Sequence, residues 1–344
     1  MTKRKIPAVC FSAAGIMILI LDGQTALLGA SVGLDLCLRT VIPSMFPFLF
    51  LCSVLTSLLW GEALPFLRPT AKCLGIPPGA ESILAAAVLG GYPAGAQSIG
   101  DCYQKELLSR KDAEHLLTFC SNAGPAFLFG MIARQFTDTG MIWALWGIQL
   151  LSAALTALFG RNSTALPAIL PSRSTSVPQL LIQTVKTMSI ICGWIMLFQI
   201  LAQFLSKWFL WIFPSEIQII ITGLLELSCG CSGLTQIESI PLRFLTCAVF
   251  LSFGGVCVTM QTDSVIGSLS IIPYLRGKFI QSLLSLVLSM LYLIWGWSFL
   301  AAIMLSIPII CSALKKEVDF CGNRMYNTVI IHGRNHRHAV SKKN

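Results

Sequence analysis

Nine segments of this chain carry almost no charge: 6–21, 41–60, 82–100, 117–133, 140–160, 187–206, 217–225 continuing past Glu226 to about 234, 244–262 and 279–314. A helix needs about 20 apolar residues to cross the hydrocarbon of a bilayer. Only helices and closed barrels satisfy the backbone there, and these runs are too long and too unalternating for barrel strands. Charged residues make up 11% of the chain and apolar ones 55%, whereas a soluble domain draws about 25% of its residues from the charged types. Water-soluble globular, disordered, coiled-coil and collagen-like chains are excluded. The expected fold class is an all-α polytopic integral membrane protein. The run 279–314 would extend about 54 Å as one helix, so it either tilts and protrudes or breaks near Gly296. The count comes to about eight to ten transmembrane or re-entrant helices.

The net charge of +9 is placed unevenly. Lys3, Arg4 and Lys5 open the chain, and Lys315, Lys316, Arg324, Arg334, Arg337, Lys342 and Lys343 crowd its end. Positive residues flanking spans stay in the cytoplasm, so a multi-pass protein of the cell membrane with both termini cytoplasmic is expected. The basic start followed by apolar 6–21 also matches a secretory signal, but in a chain that is itself a membrane protein an uncleaved first span is the better reading. Most of the 13 cysteines lie inside apolar runs, where a thiol acts as a small hydrophobe. Cys229 and Cys231 have no second pair at zinc-ligand spacing, so no metal is expected, and no cofactor.

Two polar connections interrupt the apolar runs. Residues 101–116 read as an amphipathic surface helix, with Ser109-x-x-Asp112 as its capping box. Residues 161–180 hold Pro167, Pro171 and Pro178 among Ser and Thr, which is linker chemistry near the middle of the chain. Around that centre the halves align weakly but in order: 46–59 with 192–205, 89–95 with 224–230, Gly124 with Gly254, and 140–160 with 279–300. Transporters are often built this way. The expected organisation is an N-terminal membrane segment (1–40), a first membrane repeat (41–160), a linker (161–186), a second repeat (187–300), and a last membrane segment with the basic tail (301–344).

The candidate site lies where helices should break. Gly90-Gly91-Tyr92-Pro93-Ala94-Gly95, continuing to Gln97, and Cys120-Ser121-Asn122-Ala123-Gly124-Pro125 put glycine, proline and polar side chains at membrane depth. Irregular backbone is tolerated there only inside protein or beside a cavity, and broken helix ends can hold a polar solute. The competing reading is close helix packing at glycines and simple kinks at prolines. Glu226 is a lone carboxylate in IQIIITGLLELSCG, and an ionisable side chain at that depth is a functional candidate by default, for a proton, a cation or a ligand hydroxyl. Gln261, after Gly254-Gly255, is its uncharged partner in the second half. The expected substrate-binding set is therefore Gly91, Tyr92, Pro93, Gly95, Gln97, Ser121, Asn122, Gly124, Pro125, Glu226, Gly254, Gly255 and Gln261.

Two serine motifs suggest an enzyme: Gly29-Ala30-Ser31-Val32-Gly33 and Gly230-Cys231-Ser232-Gly233. Each serine needs a general base, and the four histidines, His115, His332, His336 and His338, all fall outside the apolar runs. There is no Walker A sequence and no H-E-x-x-H. No catalytic residue is expected.

The run LGGYPAGAQSIGDCYQKELLSRKDAEHLLTFCSNAGPAFLFGMI (89–132) resembles the YlbJ-type sporulation integral membrane proteins, which contain the nucleoside-recognition (Gate) domain. VIPSMFPFLFLCSVL (41–55), GLLEL (223–227), FGGVCVTMQ (253–261) and PYLRGK (273–278) follow in the order expected of that family. The resemblance implies an endospore-forming bacterium, a role in spore cortex formation and kinship with nucleoside transporters. Two functions then compete: a permease-like transporter of a small polar solute, and a non-transporting scaffold that recruits partners in spore morphogenesis. The expected partners are the lipid bilayer and that solute, with a second copy of the chain or other sporulation proteins as further candidates, and not nucleic acid.

Overall fold

The computed structural model describes residues 6–60, 64–159 and 176–298. The basic residues at both ends, the last membrane segment and residues 161–175 of the expected linker lie outside them. The described residues form fifteen α-helices: α1 (Ile6–Leu21), α2 (Gly23–Leu36), α3 (Ile42–Leu59), α4 (Arg68–Cys73), α5 (Glu81–Leu89), α6 (Ala94–Gln104), α7 (Arg110–Leu117), α8 (Pro125–Gly130), α9 (Thr139–Phe159), α10 (Val177–Trp208), α11 (Ser215–Leu225), α12 (Leu227–Gly233), α13 (Ile240–Phe253), α14 (Gly255–Val265) and α15 (Ile272–Trp295). Five stretches are long and apolar enough to cross a membrane: Gly23–Leu59, α9, α10, Ile240–Val265 and α15.

Polarity runs inside out, as a lipid-facing protein requires. Leu27, Phe279 and Ile294 are 72%, 69% and 69% exposed, while Gln149, Gln199, Gln281 and Lys278 are buried. Apolar side chains on the outer faces lose nothing in hydrocarbon, and polar ones there must find partners inside.

Segment 22–40, not read as a span, is helical. Asp22 caps α2 by accepting from the Thr25 N–H at 3.3 Å, and a π-helical turn, Cys37–Val41, carries the helix on into α3. The linker is shorter than expected, because α10 starts at Val177. Pro178 there occupies the first helical turn, where its missing N–H costs nothing, and a Ser176/Gln179 capping box opens the helix. The expected surface helix over 101–116 divides: residues up to Gln104 continue α6, and α7 begins at Arg110 with Ser109 accepting from the Asp112 N–H at 3.2 Å.

The chain α2–α3 runs antiparallel to α10. Lys207 meets Asp22 at 2.6 Å at one end, and Gly29 and Gly33 lie against Ile200 and Met196 further along. Thus Gly29-x-x-x-Gly33 is a helix-packing motif in which two missing side chains let backbones touch. Elsewhere α9 packs against α13 and α15, and α14 against α10 and α11.

A Cβ on Gly29 would lie 2.6 Å from the Ile200 Cα, whereas one on Gly193, in α10 itself, meets nothing within 4 Å. Gly29→Ala is expected to cost about 1–3 kcal/mol through overpacking, and Gly193→Ala to be neutral or stabilising. Melting of the detergent-solubilised variants checks this; equal melting temperatures would remove the seam.

Candidate functional site

All four segments expected to break do so. Residues 90–93 separate α5 from α6, and 118–124 separate α7 from α8. Glu226, in extended conformation, parts α11 from α12. Gly254 parts α13 from α14 with φ +82°, a left-handed conformation that glycine adopts without penalty.

The breaks meet one another. Gly91, also left-handed at φ +75°, lies so near Gly124 that a Cβ there would sit 3.0 Å from the Gly124 N. A Cβ on Gly255 would sit 3.2 Å from the Leu224 carbonyl oxygen, just before the Glu226 break. Tyr92 joins the halves: its Oη donates to the Leu251 carbonyl at 2.6 Å, and its ring lies against Gly254. Gln149 of α9 donates at 3.4 Å to both the Ala123 and the Leu251 carbonyls. These are carbonyls that a helix break leaves without a regular partner.

Between the breaks lies a cavity of about 540 Å³, mouth included, bordered by three of them through Gly91, Tyr92, Gly124 and Glu226 and by α14 through Gln261, with Ile191 and Ile195 of α10 as a further wall. Glu226 is 2% exposed. Its Oε1 accepts from the Ser228 N–H at 3.1 Å, and its Oε2 accepts from the Cys229 N–H at 2.8 Å and from Gln199 Nε2 at 3.0 Å. The carboxylate therefore closes the start of α12 and is held in turn by an amide from α10.

The other expected residues are placed differently. Gly95 faces the Cys120 carbonyl so closely that no Cβ fits, so it serves packing. Pro93 flanks α6, and Pro125 opens α8. Gly254 and Gly255 form the turn behind Tyr92. Ser121 is fully buried away from the cavity. Gln97 lines a second cavity, with Ser53, Thr56 and Asp101. Ser31 and Ser232, the two motif serines, each bond back to helix carbonyls.

Asn122 belongs to a polar cluster centred on Lys278, which is fully buried. Lys278 Nζ donates to Gln281 Oε1 at 2.7 Å and to Asn122 Oδ1 at 3.4 Å, and stands 5.1 Å from the Tyr92 ring centroid and 5.9 Å from that of Tyr274. Gln281 Nε2 also donates to Asn122 Oδ1 at 2.8 Å. No carboxylate among the described residues forms an ion pair with this lysine. Sequence reasoning missed it because the apolar run was started one residue later, at 279. The signal was the Lys278/Gln281 pair, three residues apart on one helix face. Gln149, the lone amide of α9, carried a similar signal.

Tyr92→Phe keeps the ring over Lys278 but leaves the Leu251 carbonyl with only the longer Gln149 bond. The expected loss is about 1–3 kcal/mol, read as a lowered melting temperature in detergent, with a larger drop for Tyr92→Ala. An unchanged Tyr92→Phe melt would show that the phenol does not hold the halves together.

No family model and no solved structure matches this chain. The chain is similar to the sporulation integral membrane protein YlbJ of Bacillus subtilis (strain 168), at 24% identity over 319 aligned residues that take in 78% of this chain and 78% of that protein.

Proposed function

We propose that the chain is a sporulation-associated membrane protein that acts as a permease-like transporter of a small polar solute, built from two related halves and not an enzyme. The observation that carries the reading is a cavity bordered by three of the helix breaks and by α14, the helix that follows the fourth. A scaffold needs glycine-mediated packing, which is present, but has no need of a cavity where broken segments converge. The common order of elements, a long helix, two broken segments and a long helix, supports two related halves. The sporulation setting rests on what the Bacillus subtilis relative is named, and cortex formation and a nucleoside-like solute on what the family resemblance implies.

Glu226 is the coupling group in this reading. A carboxylate offers about four lone-pair sites, and three here are taken by Ser228, Cys229 and Gln199. The carboxylate also borders the central cavity, where a solute hydroxyl or a proton would compete with these donors for it. Glu226→Gln keeps the shape but cannot ionise. In reconstituted vesicles it is expected to keep solute binding and lose the pH dependence of uptake, and Glu226→Asp to retain part of it. Full complementation of a sporulation-deficient deletion strain by Glu226→Gln, with unchanged pH response, would refute proton coupling. Removal of residues 317–344 is expected to be tolerated; loss of function with intact insertion would favour the scaffold.

A further inference from the structure

We propose that the cavity bordered by Gln97 is a second binding site, for an uncharged polyhydroxylated solute, and the vestibule of the central one. The inference rests on the permease reading for its role as a vestibule, but not for its existence as a site. The cavity measures about 480 Å³, mouth included, and its polar lining includes Ser53, Thr56, Gln97, Ser98 and Gln183. Hydroxyls and amides both donate and accept, which suits a solute whose own hydroxyls do the same. Asp101 and Lys105 add one charge of each sign, so the lining selects no ion.

Two buried groups point to a ligand. Thr56 and Trp60 are each 8% exposed and border this cavity. Among the described residues, Thr56 Oγ1 and Trp60 Nε1 find no hydrogen-bond partner. Such groups are costly to bury unpaired. Both atoms are closed off as the side chains stand, so a solute would engage them by turning Thr56 or Trp60 into the cavity, where the indole N–H, which can only donate, meets a hydroxyl oxygen beside an apolar ring face.

The register of three elements puts the two cavities in line. On α3, Met45 borders the central cavity and Ser53, Thr56 and Trp60 the second. On α10, Ile191 and Ile195 border the first and Leu180 and Gln183 the second. On the first broken segment, Tyr92 is followed by Gln97 and Asp101. From Ile191 to Gln183 is eight residues, about 12 Å along a helix. The residues between them on each element, Leu49, Ala94 and Met188, are buried in one apolar cluster with Ile191 and Ile195. That layer occupies the positions between the two cavities on all three elements, and Met188 is its adaptable member.

The test uses full-length protein in sealed vesicles of both orientations and a membrane-impermeant maleimide. Thr56→Cys, or Ser53→Cys should the first not fold, each on a Cys102→Ser background because Cys102 borders the same cavity, is expected to label from one side well above the remaining native cysteines. Millimolar sorbitol or glucose should slow labelling, whereas gluconate and glucosamine should not. Trp60→Phe, which keeps a ring but removes the N–H donor, should weaken that protection by up to about tenfold, the size of one hydrogen bond. Met188→Ala should let Ser228→Cys, in the central cavity, react from the same side. Absence of labelling at both Thr56→Cys and Ser53→Cys, or protection by the charged sugars alone, overturns the site. If Met188→Ala leaves Ser228→Cys unreactive, the vestibule role falls. Labelling and protection without any solute flux would uphold the site and sink the permease reading instead.

Discussion

Every break in a membrane helix strands backbone N–H and C=O groups where water cannot reach them, and the architecture follows from how those groups find partners. Glu226 closes the N–H groups that open α12. Tyr92, from the first half, covers the carbonyl stranded beside Gly254 in the second. Gln149 covers that carbonyl and the one at Ala123 together. Local bonds such as those of Glu226 and of Asn122 to the Phe119 carbonyl satisfy part of the need, and bonds from Tyr92 and Gln149 satisfy the rest across the molecule, so the breaks gather in one region. The cavity lies where that gathering leaves space.

Two kinds of buried polar chemistry flank Tyr92. On one side a lysine without a carboxylate partner is held by neutral acceptors and two aromatic rings; on the other a carboxylate is held by neutral donors. Had these charges paired directly, they would have formed a structural salt bridge with no capacity left for a solute. Unpaired, each is left with dipolar and aromatic partners, which stabilise a charge without cancelling it.

Much of this was legible in the sequence. Glycine, proline and a lone carboxylate inside apolar runs marked all four breaks, because few sequences place such residues at that depth without a reason. Which residue would face the cavity was not legible. Gly95 and Gly91 look alike in the chain, yet one lies against the Cys120 carbonyl and the other, packed on Gly124, also borders the central cavity; only the path of a distant segment decides between them. Pro178 read as linker because proline ends helices more often than the eye expects it to begin one. Lys278 escaped for a different reason: a charge near the end of an apolar run is usually taken for the edge of the membrane, and here the helix starts six residues earlier.

The glycine contacts also divide what this chain can change from what it cannot. Where Gly91 meets Gly124, and Gly223 meets Gly230, backbone lies on backbone, and no alternative side chain could preserve the approach. The walls of the two cavities are instead made largely of side chains such as Met45, Ile195, Gln97 and Gln183, none of which holds the breaks in place. Substitution at the walls can thus reshape the cavities while the frame stays fixed. On the permease reading, a lineage carrying this scaffold is free to exchange one cargo for another without having to reinvent its fold.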